Sequence, residues 1–550
     1  MKNSLLFIIL FLSTFTLIQG QTTRSIENVV ITSNKKKTQV KTDEKGNLHL
    51  NVSPKNVSKF KANGVVYYSD FGAKGDGKTD DIDAIAATHA FANLEGLPVK
   101  ADKDASYYIS GKKRTVNIQT DTDFGTAAFI IDDTDVKDRS AAVFLVSSSL
   151  QPFKPEAISS LKKNQDKIDV SLARACIITV NNSKVKQYIR FGKNQNNGNP
   201  QTDIFIVDKN GNVDSNAPII WDFDQITDIT ALPIDDKKLT IKGGRFTTIA
   251  NRAESKYTYY HRNISIKRSN VLVDGLEHRI TGEQEHGAPY AGFLFINNCA
   301  YVTVQNTILT GHKTYHTIGA AGEPVSMGSY DIGVNRALNV SFVNCKQTND
   351  INDDKYWGIM ASNFSKNIVY DNCTFSRFDA HMGVANATIR NSTLGHQGIN
   401  AIGSGTFIVE NSTIYSKNLI NLRSDYGSTW QGDFIIRNCV FVPYDDKKNS
   451  PSIIGGSYSG EHNFGYTCYL PERISIENLK IEDANQPENY KGLAFFNDFN
   501  PKIKDDLYVE KFPFIITKEV ILKNVTTASG KSVRLSDNLY MFRNVAIKNN

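Results

Sequence analysis

A short phrase recurs through the second half of the chain. An alternating run of apolar and polar residues leads to Asn, then to Cys, Ser or another small residue. It reads Val302-Thr-Val-Gln-Asn306, Val340-Ser-Phe-Val-Asn344 and Ile368-Val-Tyr-Asp-Asn372, then Ala387-Thr-Ile-Arg-Asn391, Phe407-Ile-Val-Glu-Asn411 and Phe434-Ile-Ile-Arg-Asn438. Weaker copies end at Asn478 and Asn524, and earlier ones end in Gly243 and Gly275. Period-two alternation predicts strands with one buried face. Spacings of 19 and 20 residues from Asn372 to Asn391 to Asn411, with longer ones elsewhere, predict a solenoid of β-coils whose surplus residues loop out, often on a binding face. Such a coil cannot bury its inner face alone, but a stack can, with strands about 4.8 Å apart and like side chains in ladders. A buried Asn at the bend is expected to bond its neighbour in the next coil. Neither a leucine-rich signature nor a Trp-Asp blade motif is present.

The first half has a different texture. Residues 1–20 open with Lys2, continue in an apolar run over 5–18 and reach the small Gly20, the pattern of a secretory signal peptide. The run is short for a span, which needs about 20 apolar residues. Residues 21–62 are polar and Lys-rich, and read as a flexible or edge segment. After the strand 65–68 comes Asp70-Phe-Gly-Ala-Lys-Gly-Asp-Gly-Lys-Thr-Asp-Asp81, then an Ala-rich stretch of helical spacing over 82–94, which Asp80 or Asp81 can cap. Gly72, Gly75 and Gly77 before Lys78-Thr79 do not have the spacing of a phosphate loop. The run 71–81 and the helix behind it resemble the opening of the pectin-lyase-like β-helix proteins. The resemblance covers about residues 65–110 and implies an all-β fold: a right-handed parallel β-helix with an N-terminal capping helix. The expected organisation is the signal peptide, the polar segment 21–62, and one β-helix domain over 63–550 with its cap at 63–110 and long loop insertions.

Composition adds little to that outline. The formal charge is +6, spread along the chain, with Lys35–Lys37 the only short basic run. This argues against nucleic acid and fits an exported protein meeting an acidic glycan. Six widely separated cysteines form neither a disulfide scaffold nor a zinc motif. Four of them follow Asn at a bend and are expected as small buried side chains.

Candidate chemistry comes from the histidines, eight of ten of which fall between residues 261 and 462. Counting nine or ten residues on from the recurring Asn reaches His316, Asp354, His381, Asn400 and Asn421 at the opening of the next strand in successive coils, and aligning the strand from Tyr356 puts Trp357 in place of Asp354. They are expected to stack as a column, facing in or out, with Ile318, Ile359 and Ile402 two residues on and buried. Tyr315, Arg377, Lys355, Arg423 and Tyr426 lie around it. Two loops add to the set: 276–292 with His278, Arg279, His286 and Tyr290, and 422–433 with Arg423, Asp425, Tyr426 and Trp430.

These types suit β-elimination at a uronic acid: Arg neutralises the sugar carboxylate, and His or Tyr removes the C5 proton and protonates the leaving oxygen. His316, His381, Tyr315, Arg377 and His286 are the catalytic candidates. Lys355, Tyr356, Trp357, Asn400, Arg423, Tyr426, Tyr290 and Trp430 are the substrate-binding candidates, with Tyr356, Trp357 and Trp430 as sugar platforms.

A hydrolase would draw on Asp350, Asp353 and Asp354, with Asp379 also available. Asn349-Asp-Ile-Asn-Asp353-Asp354 departs from the Asn-Thr-Asp of polygalacturonases, and Gly311-His-Lys313 from their Gly-His-Gly. The expectation is a secreted, monomeric, metal-independent lyase of an acidic polysaccharide, resembling the β-helical lyases of chondroitin or dermatan sulfate. Ca2+ held by the same aspartates is the less favoured cofactor reading, and a non-catalytic glycan-binding solenoid the third alternative.

Overall fold

The computed structural model describes residues 22–26, 29–33, 38–155, 158–444, 451–458, 462–487 and 489–549. The signal-peptide reading of residues 1–20 lies outside them. No helix among the described residues is long and apolar enough to cross a membrane.

The recurring phrases are stacked strands. In parallel register, Leu239 lies beside Val271, then Val302, Val340, Ile368, Ala387, Phe407, Phe434, Ile474 and Val520. Each is the first apolar residue of its phrase, and each points into the core at 2% exposure or less. Burying such a side chain contributes about 1.5–3 kcal/mol, so this column and its neighbours hold the solenoid together. The fold is a right-handed parallel β-helix, the handedness that parallel crossovers take.

The residue closing each phrase is chosen by backbone geometry. Asn306, Asn344, Asn372, Asn391, Asn411, Asn438, Asn478 and Asn524 all take φ between +48° and +54°, and Gly243 and Gly275 occupy the same position at +69° and +70°. Only Gly, and Asn at modest cost, sit there readily. The Asn side chains are exposed rather than buried as expected, and they do form the ladder. Asn344 Nδ2 donates to Asn306 Oδ1 at 2.6 Å, Asn438 to Asn411 at 3.2 Å and Asn524 to Asn478 at 2.9 Å. The rung breaks once, where Asn391 donates to Asp371 at 2.8 Å. All six cysteines are free and buried.

The cap is larger than the sequence pattern suggests. The helix Ile82–Glu95 covers the first coil with Ile82, Ile85 and Phe91. Asp81 does not cap it through its side chain. Its carboxylate instead accepts from Lys74 N at 2.7 Å and Gly75 N at 2.9 Å and closes the glycine loop. The segment 38–63 is packed: Leu48–Asn51 runs inside a small four-stranded sheet, and the helix Pro54–Asn63 sends Phe60 into the core. Leu48, Leu50, Val52 and Phe60 are buried and Val40 and Val57 pack against the same core, while the rest of the segment is mostly polar.

Residues 148–238 leave the solenoid as an insert. Its sheet places Cys176–Gln187 between Asn199–Val207 and Asp228–Pro233, all antiparallel. One face carries its own core of Ile178, Val180, Phe205 and Phe223; the other seats Ile177, Ile204 and Ile206 on Ala300 and Leu338 of the coils. A buried ion pair, Lys366 Nζ to Asp203 Oδ1 at 2.7 Å, fixes the docking.

Candidate active site

Where the insert leans over the coils, it walls a cleft of about 650 Å³. The floor is one outward face of the stacked strands, including Phe295, Asn335 and Asn363. Arg190, Phe191 and Lys193 come from the insert, Tyr257, Tyr259 and His261 from a loop, and His381, Arg423 and Asp425 from coils further along the stack. The walls are tied together: Asn194 Nδ2 donates to Tyr257 Oη at 2.9 Å, and Ala321 N donates to Lys193 O at 3.1 Å.

A chain of opposite charges lies at one end. Arg377 Nη2 meets Asp379 at 2.7 Å. Arg423 reaches both oxygens of Asp379, at 2.9 and 3.0 Å, and both of Asp425, at 3.1 and 2.8 Å. Arg190, crossing from the insert, pairs with Asp425 and stacks over Tyr426. Burial works against ionisation of Asp379 and Asp425, but the guanidiniums outweigh it and hold both carboxyls below their ordinary range. Three arginines thus face two carboxylates, and the end wall is cationic. Among the described residues Asp425 is the one carboxylate lining the cleft, and it is saturated by arginine.

His381 stands beside this chain. Burial, then Arg423, pushes its pKa down to about 3, so the ring is neutral. Its tautomer follows from its partners. Arg190 Nη2, which can only donate, lies 3.5 Å from Nε2, so Nε2 carries the lone pair. Nδ1 therefore carries the proton and donates to Asn363 Oδ1 at 3.0 Å. Tyr330 also lines the cleft. Burial raises its phenol pKa, with Arg377, Asp379 and Arg423 close enough to bear on it, so it stays protonated.

Of the predicted residues, the structure brings His381, Arg423, Trp357, Arg377 and Tyr426 together. Arg377 lies beneath the Trp357 ring, 5.1 Å from its centroid, and is 3% exposed; it supports the cleft without lining it. Tyr426 is 2% exposed and backs Arg190. The expected column is displaced by two residues: a register shift places Asp379, not His381, beside Asn400, which pairs with Asn421. Asn421 Nδ2 donates to Asn400 Oδ1 at 2.8 Å.

His316 leaves the column altogether. It sits exposed on the hairpin Tyr315–Ile318 and Pro324–Met327, whose antiparallel pairing also turns Ile318 out to 62% exposure. Ile359 and Ile402 are buried, as alternation implied. Tyr315 is buried with its hydroxyl 3.5 Å from Glu283, and Tyr290 is buried with its hydroxyl 3.2 Å from Asp133. Neither meets the cleft. His286 and Lys355 are exposed and Tyr356 is half-buried, all away from it. Trp430 is fully buried and donates its indole N–H to Gly405 O at 2.9 Å, so it presents no face to a sugar.

The hydrolase aspartates lie in a surface turn: Asp350 accepts from Asn352 N at 2.9 Å and Asp353 from Lys355 N at 3.0 Å. No group of three His, Cys, Asp or Glu side chains among the described residues converges as a metal set.

Arg190 escaped the sequence reading, and Asp425 entered it only as one residue of the loop 422–433. Arg190 is 191 residues from His381 and 235 from Asp425, and no local pattern links them. Asn335 and Asn363 did leave a signal. Asn297, Asn335 and Asn363 repeat at 38 and 28 residues, the intervals of Asn306, Asn344 and Asn372.

No family model matches the chain, and no curated protein matches it. Solved structures do. The tailspike gp61 of Pseudomonas phage phi297 is 14% identical, with 85% of this chain and 81% of that chain covered and a TM-score of 0.50. The tailspike of Acinetobacter baumannii bacteriophage AP22, solved with a capsular saccharide, is 12% identical over 92% and 81%, with a TM-score of 0.49. An exopolygalacturonase from Thermotoga maritima is 10% identical over 88% and 91%, with a TM-score of 0.31. What the likeness to the phi297 tailspike shows is the fold, a parallel β-helix.

Proposed function

We propose that the protein is a secreted polysaccharide lyase that cleaves a uronic-acid-containing polymer by β-elimination, with a glycosaminoglycan such as chondroitin sulfate the favoured substrate. The observation that carries this reading is a neutral His381, its Nε2 lone pair turned toward Arg190, in a cleft whose lone carboxylate among the described residues is tied up by arginine. A hydrolase needs two working carboxyls, one of them protonated, and Asp425 serves neither part.

In the proposed reaction Arg190 and Arg423 receive the uronate carboxylate and stabilise the charge that develops as C5 loses its proton. Nε2 of His381 takes that proton, and Asn363 holds the ring in the required tautomer. The electron pair forms the C4–C5 double bond and the C4–O bond breaks. Tyr330 gives its proton to the leaving glycosidic oxygen. Trp357, Tyr257 and Phe191 provide sugar-stacking faces.

Replacing His381 with Ala tests the assignment. Turnover is expected to fall by about 10²–10⁴-fold, the usual contribution of a positioned base, while retention of the protein by the acidic polymer persists. Undiminished turnover would remove His381 from the reaction.

A further inference from the structure

Two cavities open on the same face of the solenoid. Besides the cleft there is a groove of about 910 Å³ near the cap, whose lining includes Asn117, Ser147, Lys267 and, from the insert, Leu232 and Asp235. The strand register joins them. Ser147 lies beside Lys267, and Gln119 Nε2 donates to Ser147 Oγ at 3.1 Å. Ile266 pairs with Ile296, which sets Lys267 next to Asn297; Asn297 pairs with Asn335, and Asn335 with Asn363. Asn335 Nδ2 donates to Asn297 Oδ1 at 3.0 Å. A single outward column, Gln119–Ser147–Lys267–Asn297–Asn335–Asn363, therefore leads from the groove to the residue that holds His381. Five steps of about 4.8 Å make it about 24 Å long.

The column is marked by unpaired cations. Lys267 and Arg139 are exposed, and neither makes an ion pair among the described residues. Both lie close to His261 of the cleft: burial lowers its pKa, and Lys267 and Arg139 lower it further. Lys193 stands likewise unpaired and exposed at the cleft itself. Lys267 lines the groove and Lys193 the cleft, insert residues wall both cavities, and the column between them carries amide and hydroxyl side chains suited to sugar hydroxyls.

We propose that groove and column form a trough that is a distal binding site for the same anionic polysaccharide chain, which lies along the helix axis from His381 to Gln119 and is held at Lys267 and Arg139. The enzyme therefore favours long polymers and cuts within them. This rests on the lyase reading for its substrate class, and the test separates the two.

The double variant Lys267→Glu/Arg139→Glu changes only exposed side chains. Lys267 lies three coils, about 14 Å, from Asn363, beyond the reach of a tetrasaccharide centred on His381. The ratio of kcat/KM on chondroitin sulfate polymer to that on its tetrasaccharide is expected to fall about tenfold, through KM on the polymer. An unchanged ratio would overturn the proposal. Native electrophoresis through gels containing chondroitin sulfate, alginate or polygalacturonate gives a readout independent of turnover. Retardation of the wild type that is lost in the double variant supports the trough even if no polymer is cleaved, in which case the lyase reading alone falls. A wild type that is not retarded by any of the three, or a double variant retarded equally, overturns the trough.

Discussion

The buried cluster beneath the loop 276–292 makes a prediction whose sign and size both follow from its geometry. His312 Nε2 lies 3.1 Å from Asp331 Oδ1, and Nδ1 lies 3.2 Å from Glu283 Oε1. Asp331 also receives His278 Nδ1 at 2.7 Å and Thr310 N at 2.8 Å. Burial opposes a charge on the imidazole, but the two carboxylates outweigh it and lift the pKa from 6.5 to about 9. A folded-state pKa above the unfolded one stabilises the fold fully below pH 6.5, and that contribution is lost as pH rises through about 9. At about 1.4 kcal/mol per pH unit the rise is worth about 3 kcal/mol. His312 is 1% exposed, so solvent screening takes little from this. His312→Gln removes the titrating group. Denaturant unfolding of both proteins at about pH 6 and about pH 9.5 measures the stability gap between them, and groups common to both cancel. The gap is predicted to narrow by about 3 kcal/mol at the higher pH. A gap that stays constant, or widens, refutes a protonated His312.

Other positions give distinct outcomes. Trp430→Ala empties a fully buried site and should cost about 3–5 kcal/mol of stability, read by denaturation; wild-type stability would contradict its core role. Asn411→Ala keeps φ +48° but loses the polar side chain that lets Asn tolerate it and form a ladder rung, for a loss of about 1–2 kcal/mol, whereas Asn411→Gly should lose less; equal losses would mean the left-handed conformation is not what selects Asn. Since burial and Arg423 hold the free His381 at a pKa of about 3, the acid limb of kcat/KM should lie well below the ordinary imidazole value. A limb near 6.5 would contradict the neutral, arginine-flanked ring.

Much of the scaffold is legible in the sequence because a solenoid repeats its physics. The apolar residue opening each phrase must face the core and the residue closing it must tolerate positive φ, so Val340 and Asn344 announce themselves again at Ile368 and Asn372. The site is less legible because it forms where the repeat is broken. A register shift inside Thr374–Arg390 moves Asp379 to where counting places His381. The hairpin at 315–327 takes His316 off the coil. Arg190 arrives from an insert whose antiparallel sheet has no counterpart in the repeat. Trp430 shows the converse: an aromatic in a charged loop reads as a sugar platform, yet packing against Phe407 and Phe434 places it in the core.

The central claim is elimination rather than hydrolysis, and the most direct measurement is the product. The protein incubated with chondroitin sulfate, alginate and polygalacturonate, with and without chelator, should release chains ending in an unsaturated uronate, seen as rising ultraviolet absorbance, on at least one polymer, and chelator should not stop it. New reducing ends without that absorbance would contradict the account and return the chemistry to carboxylates.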